Sequence, residues 1–188
     1  MDLFEFITVM ISVILALAAA QIFLGIAPLL QTRQSVRLSA THGAWVMNLF
    51  VITFLHWWSL WDFRELSWTF PMFGLSLVGP SLMFFAATLI NPHDVGREPV
   101  DLASHFRDIR RPFLAVFVVM MVFFTLDGPL FGTEVPFNRL RLAQVVIIGI
   151  TGAGVFIRSD RVQLAISLVT LALVVLATTA RVVPGIAL

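Results

Sequence analysis

Six stretches of mostly apolar residues, each 19 to 28 residues long, dominate this chain: Leu3–Leu30, Ala40–Trp61, Trp68–Ile90, Phe113–Phe131, Phe137–Ile157 and Val162–Val183. A helix rising about 1.5 Å per residue needs about 20 residues to cross a hydrocarbon core of about 30 Å. Lipid offers no partner to backbone N–H and C=O groups, so apolar stretches of this length read as helices. Among 188 residues 59% are hydrophobic and 12% charged, with a mean hydropathy of +0.96, a balance foreign to soluble domains. The expected fold is all-α: a polytopic membrane protein with one integral domain over residues 1–188 and six transmembrane helices. The first stretch begins beside Met1 without a basic segment, which argues against a cleaved signal peptide.

Orientation follows from arginine, since all twelve basic residues are Arg. Eight of them (Arg33, Arg37, Arg97, Arg107, Arg110, Arg111, Arg158 and Arg161) fall in the loops after spans one, three and five. The other four, Arg64, Arg139, Arg141 and Arg181, fall on the opposite side. The positive-inside rule then places both termini outside the cytoplasm. The expected location is a bacterial inner membrane.

Inside the spans, few residues demand explanation. Glu5, Thr8, Ser12, Ala16 and Ala19 form a small or polar stripe on span one, expected to face another helix. Trp57, Trp58 and Trp61 close span two as an aromatic belt. Gly79-Pro80 predicts a kink in span three, with Ser76 and Ser81 placed to satisfy freed backbone groups. Asp127-Gly128-Pro129 reads as the turn ending span four. In span five, Gly149 and Ala153 have the small-xxx-small spacing of a helix-packing interface. Within the loop 91–111, Asp101 is placed to cap a short helix whose Leu102, Phe106 and Ile109 share one face. Arg107, Arg110 and Arg111 lie off that face, a pattern for a helix resting on the anionic cytoplasmic leaflet.

Chemistry is sparse. Cysteine is absent, which excludes disulfides and thiolate metal sites. Neither a zinc-protease motif, nor a nucleophile elbow, nor a phosphate-binding glycine loop is present, and the scattered arginines make no nucleic-acid surface. His42 and His56 share a helix face about 21 Å apart along the axis. That spacing resembles the ligand pair one cytochrome b helix gives to two haems, but the remaining histidines, His93 and His105, share one loop. No cofactor is expected. The main polar coincidence is Glu5, His56, Asp127 and Arg181, all in the outer third under the expected topology. Such a cluster is either a structural clasp or part of a conducting route.

Phe4-Glu5-Phe6, the tryptophans of span two, Trp68-Thr69-Phe70, and Asp101-Leu102 with His105-Phe106 resemble small six-helix bacterial inner-membrane proteins without an assigned activity. The resemblance implies the fold and no mechanism. The midplane offers only uncharged Asn48, Ser76, Ser81, Thr151 and Thr170, which disfavours an ion-coupled transporter. The expected function is a non-catalytic membrane subunit or scaffold, in a homo-oligomer or larger complex. The alternative is a proton or small-solute channel or transporter using the outer cluster.

Overall fold

Every long apolar stretch but one becomes a helix long enough to span a bilayer. The computed structural model describes residues 3–31, 36–92, 100–132 and 138–179. In chain order the elements are α1 (Leu3–Gln31), β1 (Val36–Arg37), α2 (Ala40–Ser59), α3 (Phe70–Ser76), α4 (Val78–Ile90), β2 (Val100–Asp101), α5 (Leu102–Leu130), α6 (Arg139–Gly154) and α7 (Asp160–Thr179). Five stretches are long and apolar enough to cross a membrane: Leu3–Leu29, Ala40–Phe63, Phe70–Ile90, Leu102–Leu130 and Asp160–Thr178. The exception is α6, whose 16 residues extend only about 24 Å.

Polar side chains start the helices where the sequence offers them. Ser39 accepts from His42 N at 3.4 Å, Thr69 from Met72 N at 3.5 Å, and Asn138 from Arg141 N at 3.1 Å. Around the bundle, α4 packs between α1 and α5, α6 packs between α5 and α7, and α2 touches α1, α4, α5 and α7. The buried centre is aromatic. Trp45 of α2 is fully buried and meets the edges of Phe113 and Phe117 of α5 at centroid distances of 5.5 and 5.1 Å.

Several expectations are corrected. The helix capped by Asp101 is no separate interfacial element: it runs unbroken through Arg110, Arg111 and Pro112 to Leu130. Asp101 does cap it, and Leu102 and Phe106 are buried, but so is Arg110, at 5% exposure. Asp127-Gly128-Pro129 forms the last turn of α5 rather than a turn beyond it: the helix ends at Leu130, and the chain then turns at Gly132, whose φ of 71° suits glycine. On α1 the packed face is Ile7, Ile11, Leu15, Ala18 and Ile22, while Glu5 and Ala16 of the expected stripe are exposed. Ser12 nevertheless accepts a hydrogen bond from Trp57 Nε1 at 3.2 Å.

The break in span three falls at Leu77, between α3 and α4, so Pro80 sits in the first turn of α4. There its missing N–H costs little. Ser76 Oγ donates to Phe73 O and Ser81 Oγ to Leu77 O, both at 2.7 Å, returning hydroxyls to carbonyls on either side of the break. In α6 the expected interface faces outward: Gly149 and Ala153 are exposed, and a β-carbon on Gly149 would meet nothing within 4 Å. The close approach is at Gly154, where a β-carbon would lie 3.2 Å from Ile166 Cδ1 and 3.4 Å from Leu114 Cδ1.

Candidate functional site

At the end of the bundle where α5 stops and α6 begins, polar side chains from four helices line one cavity. Its volume is about 110 Å³, room for several waters. His56 and Ser59 come from α2, Asp127 from α5, Arg141 and Gln144 from α6, and Thr178 from α7; Ile52, Met121, Ile147 and Val174 supply apolar wall.

The sequence of α5 explains why Arg141 is held there. Pro129 has no N–H, so the carbonyl four residues earlier, Thr125 O, lacks its helical donor. Gly128 N also donates to its neighbour's side chain, Asp127 Oδ1, at 2.7 Å. Arg141 Nη1 donates into this gap, to Thr125 O at 2.5 Å and Phe124 O at 2.7 Å. Its Nη2 meets Asp127 Oδ1 at 2.9 Å, and Nη1 also reaches Gln144 Oε1 at 3.2 Å. Gln144 Nε2 donates to Phe124 O at 3.3 Å. A guanidinium is suited to this work because its five donors spread in one plane. The pair is largely withdrawn from solvent, with side-chain exposures of 12% and 20%.

His56 occupies the opposite wall. Its ring stacks on Phe124 at 4.6 Å and 26°, and its buried Nε2 has no hydrogen-bond partner. Phe124 is held in turn by the close passage of α4. A β-carbon on Gly79 would come within 2.6 Å of Phe124 Cε1 and 3.2 Å of Phe123 Cε1. The space at Gly79 therefore lets the Phe124 ring stay under His56.

Of the four outer residues expected to cluster, the structure brings His56 and Asp127 to one cavity. Glu5 is exposed on α1 and does not line it. His56 Nε2 has no hydrogen-bond partner, so it makes no bond to Glu5. Arg181 lies outside the described residues. The cation beside Asp127 is Arg141, which sequence reasoning counted only as a loop charge. Pro129 was the available signal, because a proline inside a helix leaves a carbonyl that needs a donor from elsewhere.

The opposite end carries a second polar knot. His42 Nε2 donates to Ile90 O at 2.9 Å and His105 Nε2 donates to the same oxygen at 3.1 Å, the two rings lying edge-on at 6.1 Å. A carbonyl only accepts, so both nitrogens carry a proton. Ile90 ends α4, and the two imidazoles satisfy its terminal carbonyl. Asn91 Nδ2 adds a bond to Gln21 O of α1 at 2.5 Å. His42 is 4% exposed.

Among the described residues, the buried polar groups between the two ends are uncharged. Asn48 Nδ2 bridges Ala44 O of its own helix and Ser167 O of α7, both at 2.9 Å. Thr151, Ser167 and Thr170 are fully buried nearby in sequence register on α6 and α7. No protein-family model, curated protein or solved structure matches the chain.

Proposed function

We propose that this chain is a non-catalytic multi-pass membrane protein, serving as a subunit or scaffold of a membrane assembly or homo-oligomer in a bacterial inner membrane. One observation carries the reading. The Asp127–Arg141 pair is engaged in closing the end of α5, where Arg141 meets two backbone carbonyls, a carboxylate and an amide. A cation so engaged has little freedom to bind and release a passing solute. The uncharged character of buried Asn48, Thr151, Ser167 and Thr170 supports the same reading, because coupled transporters place ionisable groups at the midplane.

A six-crossing topology with both termini outside the cytoplasm belongs to this proposal. It is supported by the course of α6, whose start meets the end of α5 at Arg141 and whose end meets α7 at Gln163, which donates to Gly154 O at 2.7 Å. Gly149 and Ala153, turned outward, are available to a neighbouring helix of a second chain. The arginine-bearing end then faces the anionic cytoplasmic leaflet.

The second reading, a route for protons or a small solute, is favoured by the unpartnered Nε2 of His56 beside the outer cavity. Reconstitution into liposomes separates the two. The expected result is proton and solute flux equal to that of empty vesicles, with a mass in mild detergent above that of one chain. Flux that His56→Gln abolishes while the protein stays folded overturns the subunit reading.

A further inference from the structure

Arginine gathers where the start of α5 crosses the turn between α6 and α7. Leu114 of α5 packs at Gly154, the last residue of α6, beside Ile166 and Gln163 of α7. One helical turn earlier on the same α5 face stands Arg110, which this packing carries over the α6–α7 turn. One turn earlier again, Arg107 Nη1 meets Asp160 Oδ2 at 3.1 Å, fixing α5 to the first residue of α7. Arg111 and Arg158 lie near enough to repel the Arg110 charge, and Asp160 near enough to attract it.

Among the described residues, arginine outnumbers acid here. Arg107, Arg110, Arg111 and Arg158 gather about Asp160, which Arg107 already engages, and Asp101 also attracts Arg107. Asp108 is exposed and lies on a different helix face from Arg110, at the three-residue spacing that makes it a neighbour of Arg111. The N-terminus of α7, a helix of 20 residues, adds partial positive charge at the same place. Arg110 is only 5% exposed, and its Nε is buried without a hydrogen-bond partner. Withdrawing a guanidinium from water among like charges is costly unless acceptors replace the water. A group with several anionic oxygens answers all of these features, and phosphate oxygens match the planar donor fork of arginine.

The geometry points to a phosphate-binding site at this corner, formed by Arg110, Arg111 and Arg158. The phosphate belongs either to a lipid headgroup or to free phosphate, and the site does not depend on the role of the outer cavity. Native mass spectrometry and thermal melting of the full-length, delipidated protein test it with two probes, short-chain phosphatidylglycerol and inorganic phosphate. Binding of phosphatidylglycerol as a discrete adduct that raises the melting temperature, uncompeted by inorganic phosphate, assigns a lipid headgroup. Binding of inorganic phosphate that displaces the lipid assigns the free anion.

In either case Arg111→Gln and Arg158→Gln, both at exposed positions, weaken binding about tenfold or more, as loss of a charge-assisted hydrogen bond requires. Arg64→Gln at the far end leaves it unchanged. Arg110→Met is at least as stable as wild type without the probe, and gains nothing when the probe is added. The proposal is overturned by absence of binding with both probes, or by wild-type affinity in Arg158→Gln and Arg111→Gln.

Discussion

Asp127 and Arg141 lie on consecutive helices and meet at 2.9 Å, directly over the carbonyl that Pro129 leaves without a donor. The ion pair and the proline are thus parts of one device. Proline lets α5 end in a tight turn at Gly132, and the guanidinium repairs the resulting gap while its charge is held by the carboxylate. Removing Asp127 leaves a cation in a largely buried setting, and removing Arg141 leaves carbonyls and a carboxylate unpaired. We expect Asp127→Asn and Arg141→Gln each to destabilise the protein by about 3 kcal/mol. The double variant should cost less than the sum, because both singles disrupt one contact. Denaturant titration in detergent micelles measures the cycle. Additive losses would mean that the two residues act separately.

A second prediction concerns orientation. The chain contains no cysteine, so a single introduced thiol reports its own side of the membrane. Ser104, at the start of α5, and Ser67, before α3, are both exposed. In intact cells, Ser104→Cys should be shielded from an impermeant thiol reagent and Ser67→Cys should label. The reverse pattern inverts the topology expected from arginine.

Acid should loosen the start of α5. Asp101 Oδ1 accepts from Ser104 N at 3.2 Å and Ala103 N at 2.8 Å. These bonds hold its carboxyl below the usual carboxylate range, with Arg37 and Arg107 adding to the effect. They favour the charged form, so the stability they contribute is complete above the usual carboxylate value. It is lost as pH falls through the lower value of the folded protein. The melting-temperature gap between wild type and Asp101→Ala should therefore be constant near neutrality and shrink only below about pH 4. A gap that closes at higher pH would point to a different group.

These residues also mark where the sequence was legible. Hydropathy identified the five stretches long and apolar enough to cross a membrane, because that fitness is a local property of about 20 residues. It misplaced the start of α5, since hydropathy reports where lipid ends and a capped helix can continue beyond it. Leu102, Phe106 and Ile109 do share one face, but that face packs against the bundle instead of resting on lipid. His56 and Asp127 were recognisable as polar groups in an apolar setting. Arg141 was not, because its function depends on a missing N–H in another helix. Nor could the rotation of α6 be read, because Gly149-Ala153 and Gly154 are equally small and only packing tells which faces inward.

That rotation supplies the last prediction. At Gly154 any side chain presses on Ile166, Leu114 and Gln163, with Ile166 Cδ1 already 3.2 Å from a β-carbon. Gln163 also donates to Gly154 O and Ile157 O, so displacing it uncovers the end of α6. Gly154→Leu should therefore cost about 1–3 kcal/mol through overpacking, read as a lower melting temperature. Gly149 has open space where its side chain would be, so Gly149→Leu should leave the melting of a single chain unchanged. If copies pack through the outward face of Gly149 and Ala153, the same substitution should lower the mass seen by light scattering while each chain stays folded. Unchanged mass with unchanged melting assigns that face to lipid, and a Gly149→Leu protein that fails to fold would contradict the inward rotation of Gly154.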